Sequence, residues 1–318
     1  MQSNNHLSII VPCFNSSAFL ERCLLMIASQ LKSGDELIVI DDGSSDQTVE
    51  QAYKFTSQVI INPQNEGPGY CRNRGALIAK NQALVYIDSD VEIQQGHLDF
   101  LREKLYQSPG MIISCTVDNS PKRNFSSDYK NLYLSFTFRK AILKNQQFLY
   151  GSLVAIHKDS WVSWPERTRY LEDALLNSYL MERNKKVFIP LTYPIRHHKH
   201  YTWGSLLKYD YLMGLYYTVF KLTHHQKTHS THVQIEQYLS LVASILLLPS
   251  LLLSLNFTLF LTLLIVICNL KLIFFCCQQR GTTFAFKSFW QILLSYQAYS
   301  LGCLFGLLKF NQYKKKFI

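Results

Sequence analysis

The stretch NEGPGYCRNRGALIAKNQALVYIDSD, residues 65–90, runs from a Gly/Pro turn through a helical pattern into a strand and an acidic strand end. Arg72, Asn73 and Arg74 open the helix after Gly67-Pro68-Gly69, and a helix start flanked by arginines is an anion site. Solvation at the surface is the plainer account of the same residues. Gly67, Gly69 and Gly75 lack the GxGxxG spacing and follow a third strand, which disfavours a dinucleotide-binding dehydrogenase. Asp88-Ser89-Asp90 comes directly after ALVYI. Two carboxylates one residue apart at a strand end suit a divalent cation shared with a diphosphate, because hard cations take oxygen ligands. Surface turns also produce such pairs; the buried-type strand before this one raises its weight.

Upstream, LSIIVP (7–12), a helical stretch from Ser17 to Gln30, ELIVID (36–41), a helical run and QVIINP (58–63) alternate strand with helix. That alternation predicts a mostly parallel sheet covered on both faces, with ligands at the carboxyl ends of its strands. Asp41 and Asp42 stand at one such end, either capping the turn before the next helix or facing a ligand. Downstream, MIISCTV (111–117), FLYGSLVAI (148–156) and KVFIP (186–190) read as further strands. Glu172-Asp173 precede the helical pattern ALLNSYLMERN. Acids there are stabilised by the helix dipole, or one of them serves as a general base. His197, His198 and His200 follow a strand ending near Ile195; one imidazole completes a metal site with Asp90, or the histidines are structural.

The 318 residues are 48% hydrophobic and 17% charged, which excludes a disordered chain. The net charge of +10 is uneven: residues 1–182 carry −3 and residues 183–318 carry +13. The basic half is also the apolar half, which favours a membrane surface over nucleic acid. From Tyr238 to Cys277 the only charge is Lys271, a length that suits a helical hairpin with its turn near Ser254-Leu255-Asn256. A third apolar run, Phe289 to Phe310, contains Gly302 and Gly306 at GxxxG spacing before Lys314–Lys316. The aromatic-rich stretch from Trp203 to Phe220 suits a helix at a membrane interface or one packed on the preceding domain. His224, His225, His229 and His232 read as a solvated linker, and the start of the chain as a strand with no cleavable signal peptide. The eight cysteines have no zinc spacing and read as reduced packing residues.

SIIVPCFN, IVIDDGSSDQT and NEGPGYCRNRGALIAKNQALVYIDSD together resemble the family-2 glycosyltransferases, over nearly all of residues 7–92. WPERTRYLEDALLNSYLMERNKKVFIP resembles the family's acidic segment, and RHHKHYTWGSLLKYDYLMG its histidine stretch before membrane helices. The resemblance implies an α/β GT-A fold over residues 1–198, an interfacial helix and linker over 199–237, and a membrane domain of two to three helices over 238–318. It implies an inverting, metal-dependent transfer from a nucleotide-diphosphate sugar to a lipid-linked or glycan hydroxyl. Pro12 and Phe14 match positions framing the base, Asp42 the acid that binds it, and Arg72 the arginine of the nucleotide pocket. Asp88, with Ser89 beside it, matches the ribose-side acid; Asp90 and His198 match the ligands of Mg²⁺ or Mn²⁺. Asp173, with Glu172 beside it, matches the base. Ser163-Trp164-Pro165-Glu166 replaces the usual Gly-Gly-Phe, and no QxxRW follows, against a processive synthase. A multi-pass membrane protein with a cytosolic catalytic domain is expected. The rivals are an aspartyl-phosphate phosphohydrolase, with Asp88 as nucleophile, and a non-enzymatic membrane scaffold.

Overall fold

The computed structural model describes residues 5–168, 170–224 and 234–317, so His225, His229 and His232 of the expected linker lie outside the described residues. The chain divides into two compact units, Met1–Asp118 with Gln147–Lys199, and Asn119–Gln146 with His200–Ile318.

The first unit opens with β1 (Leu7–Cys13), α1 (Leu20–Ala28), β2 (Glu36–Asp41), α2 (Thr48–Tyr53), β3 (Val59–Ile61), α3 (Pro68–Ile78) and β4 (Ala83–Ile87). Every residue of β1, β2 and β4 is buried, as continuous apolar runs in a sheet covered on both faces must be. Then come β5 (Val91–Glu92), α4 (His97–Gln107) and β6 (Ile112–Ile113). After α5 (Phe125–Leu143), which belongs to the other unit, follow β7 (Leu153–His157), α6 (Glu172–Glu182), β8 (Val187–Phe188) and β9 (Arg196–His197). The main sheet has the order β3-β2-β1-β4-β7-β6-β8, and β5 pairs with β9 apart from it. β1 is parallel to β2 and β4, and β7 is antiparallel to β4 and β6, so the sheet is mixed and largely parallel. Strand order reverses at β1, because β2 and β3 lie on one side of it and β4 on the other. Such a switch point opens a crevice at the strand carboxyl ends. Pro12 sits beyond the last β1–β4 pair, Ile10↔Tyr86, where that ladder has already ended.

The second unit contains α5, α7 (Trp203–Thr223), α8 (Ile235–Ser250), α9 (Leu255–Arg280), α10 (Thr282–Leu308) and the short α11 (Phe310–Tyr313). Sequence periodicity does not reveal α5. It buries Ser126, Ser127, Asp128, Lys130, Asn131, Ser135 and Thr137, so no apolar stripe marks its inner face. Those polar groups are paired: Lys130 Nζ lies 3.3 Å from Asp210 and 4.6 Å from the Tyr209 ring centre, and Arg280 Nε donates to Asp128 at 2.8 Å. The α8–α9 turn falls at residues 251–254, just before the expected Ser254-Leu255-Asn256. Asn269 donates to Ser240 and Gln297 to Ser244, tying α9 and α10 to α8. The aromatic-rich α7 packs backbone to backbone on α10. A Cβ at Gly214 would strike the Tyr299 carbonyl, one at Gly302 the Tyr211 carbonyl, and one at Gly306 would stand 2.7 Å from the Leu215 carbonyl. Among the described residues, α9 and α10 are long and apolar enough to cross a membrane, while α8 is a shorter apolar helix.

His97 in the first unit is wholly buried, with its ring 5.3 Å from that of Tyr193 and neither ring nitrogen hydrogen-bonded. Burial pushes its pKa down to about 4. The unfolded chain, with a pKa near 6.5, therefore binds the extra proton first as pH falls. The neutral ring's contribution is complete above about pH 6.5 and is lost progressively towards pH 4, on the order of 3 kcal/mol in all. His97→Phe keeps a ring against Tyr193, so its melting temperature is expected to fall less than wild type between pH 7 and 4.5, as calorimetry at several pH values would report.

Candidate active site

At the switch point, Arg72 is placed by the second turn of α3 and is 2% exposed. Its Nη2 donates to Asp88 Oδ1 at 2.6 Å, and its Nη1 stands 3.7 Å from Glu172 Oε1. The guanidinium lies 4.3 Å from the Trp164 ring centre. Trp164 is itself clamped: its N–H donates to Asn73 Oδ1 at 2.7 Å, and its carbonyl accepts from Asn73 Nδ2 at 2.9 Å. The Ser-Trp-Pro-Glu departure from the family pattern thus supplies the face on which the arginine rests. Close approach of Pro165 to Gly69 completes this wall, since a Cβ at Gly69 would strike the Pro165 carbonyl.

Asp88 and Glu172 come from opposite sides of the guanidinium. Asp88 ends β4, where its N–H donates to Ser152 O at 3.0 Å. Glu172 and Asp173 start α6, and Leu171 before them adopts φ +60°, a left-handed turn unusual for a leucine. Asp173 accepts from its neighbour Ala174 N–H at 2.8 Å and from Gly151 N–H at 3.3 Å. Burial pushes the carboxyls of both Glu172 and Asp173 above their ordinary values, and the nearby Arg72 charge pulls the other way.

Asp90 faces His197, whose Nε2 lies 3.1 Å from its Oδ1. Burial acts to raise the Asp90 pKa, but the imidazole beside it holds the carboxyl below the ordinary value. The rings of His197 and the expected His198 face different carboxylates. β9 pairs with β5 so that Val91 opposes His197 and Glu92 opposes Arg196. Successive residues face opposite sides of a strand. His197 accordingly turns to Asp90, whereas His198 turns to Glu92, 2.9 Å away, and stacks on Phe19. Only its backbone N–H reaches Asp90, at the carbonyl, 2.8 Å. Among the described residues no group of three or more His, Cys, Asp or Glu gathers as a metal cluster. Asp90 and His197 are an oxygen and a nitrogen donor side by side, a set that fits a Mg²⁺ or Mn²⁺ ion completed by ligands from elsewhere.

The remaining expected residues line the crevice nearer β1 and β2. Phe14 is 46% exposed on the loop after β1, and Pro12 is buried beneath it. Ser89 Oγ is 2.8 Å from Ser16 Oγ. Asp42 is buried and accepts from Asn62 Nδ2 and the N–H groups of Glu66 and Gly67, each at 2.8–2.9 Å. Its carboxylate therefore holds the loop that starts α3, a role its sequence position does not announce.

Residues 8–162 match the family model described as glycosyl transferase family 2. This chain carries a family-2 glycosyltransferase domain. The domain has a GT-A-like fold. An uncharacterized glycosyltransferase of Haemophilus influenzae is 40% identical over 106 residues, 33% of this chain and 36% of that protein. GalNAc(5)-diNAcBac-PP-undecaprenol beta-1,3-glucosyltransferase of Campylobacter jejuni is 26% identical over 199 residues, 53% of this chain and 62% of that one. The chain thus spans less than two thirds of the length of these curated relatives. A mannosyltransferase from Pyrobaculum calidifontis, solved with GDP-Man and Mn²⁺, superposes with a TM-score of 0.57 at 13% identity, over 97% of this chain and 87% of that one. That likeness concerns the fold.

The sequence points to Arg72, Asp88, Glu172 and Asp173, places Asn73 in an anion-binding helix start and offers His197 among three histidines for Asp90, but gives Trp164 and Tyr150 no site role. Trp164 carries a signal, as a large aromatic where the family has glycines; Tyr150, like the clamp of Asn73 on Trp164, acquires meaning only through contacts across long stretches of chain. Replacing Arg72 by Met leaves Asp88 and Glu172 half-buried without their counter-charge. The expected loss is about 3 kcal/mol of stability at pH 8, shrinking towards pH 4 as the Glu172 carboxyl, pushed up to about 7 by burial, protonates, measurable by urea unfolding at both pH values.

Proposed function

We propose that the chain transfers a sugar from a nucleotide-diphosphate donor to a hydroxyl of a lipid-linked or glycan acceptor, with inversion at the anomeric carbon. The observation that carries this reading is the single buried guanidinium bracketed by Asp88 on the donor side and Glu172, with Asp173 next to it, on the other. It brings acids of two distant segments to one crevice at the switch point of the sheet. In this reading Phe14, Pro12 and Asp42 frame the base, and Asp88, Ser89 and Arg72 line the ribose and diphosphate. Asp90 and His197 hold Mg²⁺ or Mn²⁺, which when bound neutralises the diphosphate leaving group. Asp173, fixed by two backbone N–H groups, takes the proton from the acceptor hydroxyl as that oxygen attacks. The lipid-linked acceptor in the name of the Campylobacter relative supports an acceptor of that class here.

An anchor in the membrane follows the same reading. Leu259, Leu263, Ile267, Leu270 and Phe274 stand exposed on α9 at helical spacing, a stripe suited to lipid rather than water. With the basic excess of the second half of the chain, this supports a multi-pass protein whose catalytic domain faces the cytosol, where nucleotide sugars are made. A phosphohydrolase would need Asp88 free as a nucleophile, whereas its Oδ1 accepts a 2.6 Å bond from a buried arginine.

Two sets of variants test the proposal on purified protein with a panel of nucleotide sugars. Asp90→Ala is expected to abolish Mn²⁺-dependent binding of UDP or GDP in calorimetry while the protein keeps its melting temperature; retained metal-dependent binding would overturn the assignment. Asp173→Asn is expected to bind donor normally and to transfer about 10²–10⁴-fold more slowly. Because burial raises the carboxyl pair, the acid limb of the wild-type pH–rate profile should lie above the ordinary carboxylate range. If Glu172→Gln is the more damaging change, the two acids exchange roles.

A further inference from the structure

The side chain of Tyr150 has no part in the reading above, yet its hydroxyl stands 2.8 Å from Nδ1 of His197, the nitrogen that faces away from Asp90. The two rings meet edge to face with centres 6.1 Å apart. The backbone of Tyr150 is held at both ends by one buried side chain: its N–H donates to Ser114 Oγ at 2.8 Å, and its carbonyl accepts from the same hydroxyl at 3.2 Å. Its neighbours touch the rest of the site. Gly151 N–H donates to Asp173, the Gly151 carbonyl lies 3.5 Å from Arg72 Nη2, and the Ser152 carbonyl accepts from the Asp88 N–H. Three consecutive residues, just before β7, thus touch His197, Asp173, Arg72 and Asp88. A Cβ at Gly151 would stand 3.3 Å from the Asp173 Cβ, so the approach is close.

We propose that Tyr150 is the positioning residue of the cation site, its hydroxyl fixing the His197 ring so that Nε2 points at the place where Asp90 would bind the ion. A ligating histidine is usually oriented by a carboxylate or a carbonyl on its other nitrogen, and either of those only accepts. A tyrosine hydroxyl both donates and accepts. It can donate to Nδ1 while Nε2–H is bonded to Asp90, and accept from Nδ1–H when Nε2 must offer its lone pair to a cation. Tyr150 therefore suits a site that loads and releases its ion with each donor molecule. Ser114 pins the Tyr150 backbone in the segment between β6 and β7, so the hydroxyl is presented from a hydrogen-bonded position beside the sheet.

The inference rests on the donor-site reading above, and its test keeps the two apart. Mn²⁺ affinity is measured by electron paramagnetic resonance of the free ion, with saturating UDP and separately GDP, on the full chain. Wild type is expected to bind Mn²⁺ with nucleotide. Tyr150→Phe is expected to bind it roughly ten- to a hundredfold more weakly, with metal-free nucleotide affinity unchanged and turnover recovered at high Mn²⁺. Ser114→Ala, which loosens the Tyr150 backbone without touching the ring, is expected to shift Mn²⁺ affinity in the same direction by less; it serves if Tyr150→Phe does not fold. Unchanged Mn²⁺ affinity in Tyr150→Phe with wild type binding normally would overturn the positioning role and leave the donor site standing. Equal losses of metal and metal-free nucleotide binding would also overturn it, because they report a collapsed crevice. If wild type takes up no Mn²⁺ with either nucleotide, the cation site and this role fall together.

Discussion

The first unit is organised around one buried charge. Arg72 is 2% exposed, and a guanidinium in that position is tolerable only where carboxylates and a polarisable face replace the water it has lost. Asp88 and Glu172 supply the charge, and Trp164 supplies the face. Each of those partners has its own anchor: Asp88 on the Ser152 carbonyl, Trp164 on the Asn73 side chain, Asp173 on the Gly151 amide. The arginine thus ties the geometry of Asp88 to that of Glu172, although the two lie far apart along the chain.

The sheet decides where this charge can sit. Parallel strands leave their carboxyl ends at one edge, and the reversal of order at β1 opens that edge into a crevice. The small β5–β9 ribbon then brings the late histidines to the same edge. Its register gives one imidazole to Asp90 and the other to Glu92, a division of labour made by strand alternation alone. His198 is held as firmly as His197, but by the rim contacts of Glu92 and Phe19.

The second unit solves a different problem. Its helices expose long apolar stripes and pair several buried polar groups inside: Lys130 with Asp210, Arg280 with Asp128, Asn269 with Ser240. Close backbone contact of α7 with α10 needs glycine at 214, 302 and 306, because no other residue leaves room for the facing carbonyls.

Local pattern was sufficient for much of the molecule. Continuous apolar runs specified β1, β2 and β4 because both faces of a parallel sheet are buried, and the acids at 41–42, 88–90 and 172–173 were legible as strand-end or helix-start groups. The GxxxG spacing of Gly302 and Gly306 likewise pointed to close helix contact without naming the partner. What the sequence could not convey is pairing across distance. Helix α5 stayed hidden since polar residues interrupt the apolar ones on its inner face, and those polar groups are satisfied by residues up to 152 positions away. Asp42 reads as a turn cap or a ligand in the linear motif, and its hold on the loop before α3 is visible only in the fold. The choice of His197 over His198, and the contact of Tyr150 with that ring, depend on a two-residue ribbon whose register only the folded chain defines. Periodicity and motif act within a few residues, whereas hydrogen bonds and charge pairs between segments are set by which strands become neighbours, and that is decided by tertiary structure.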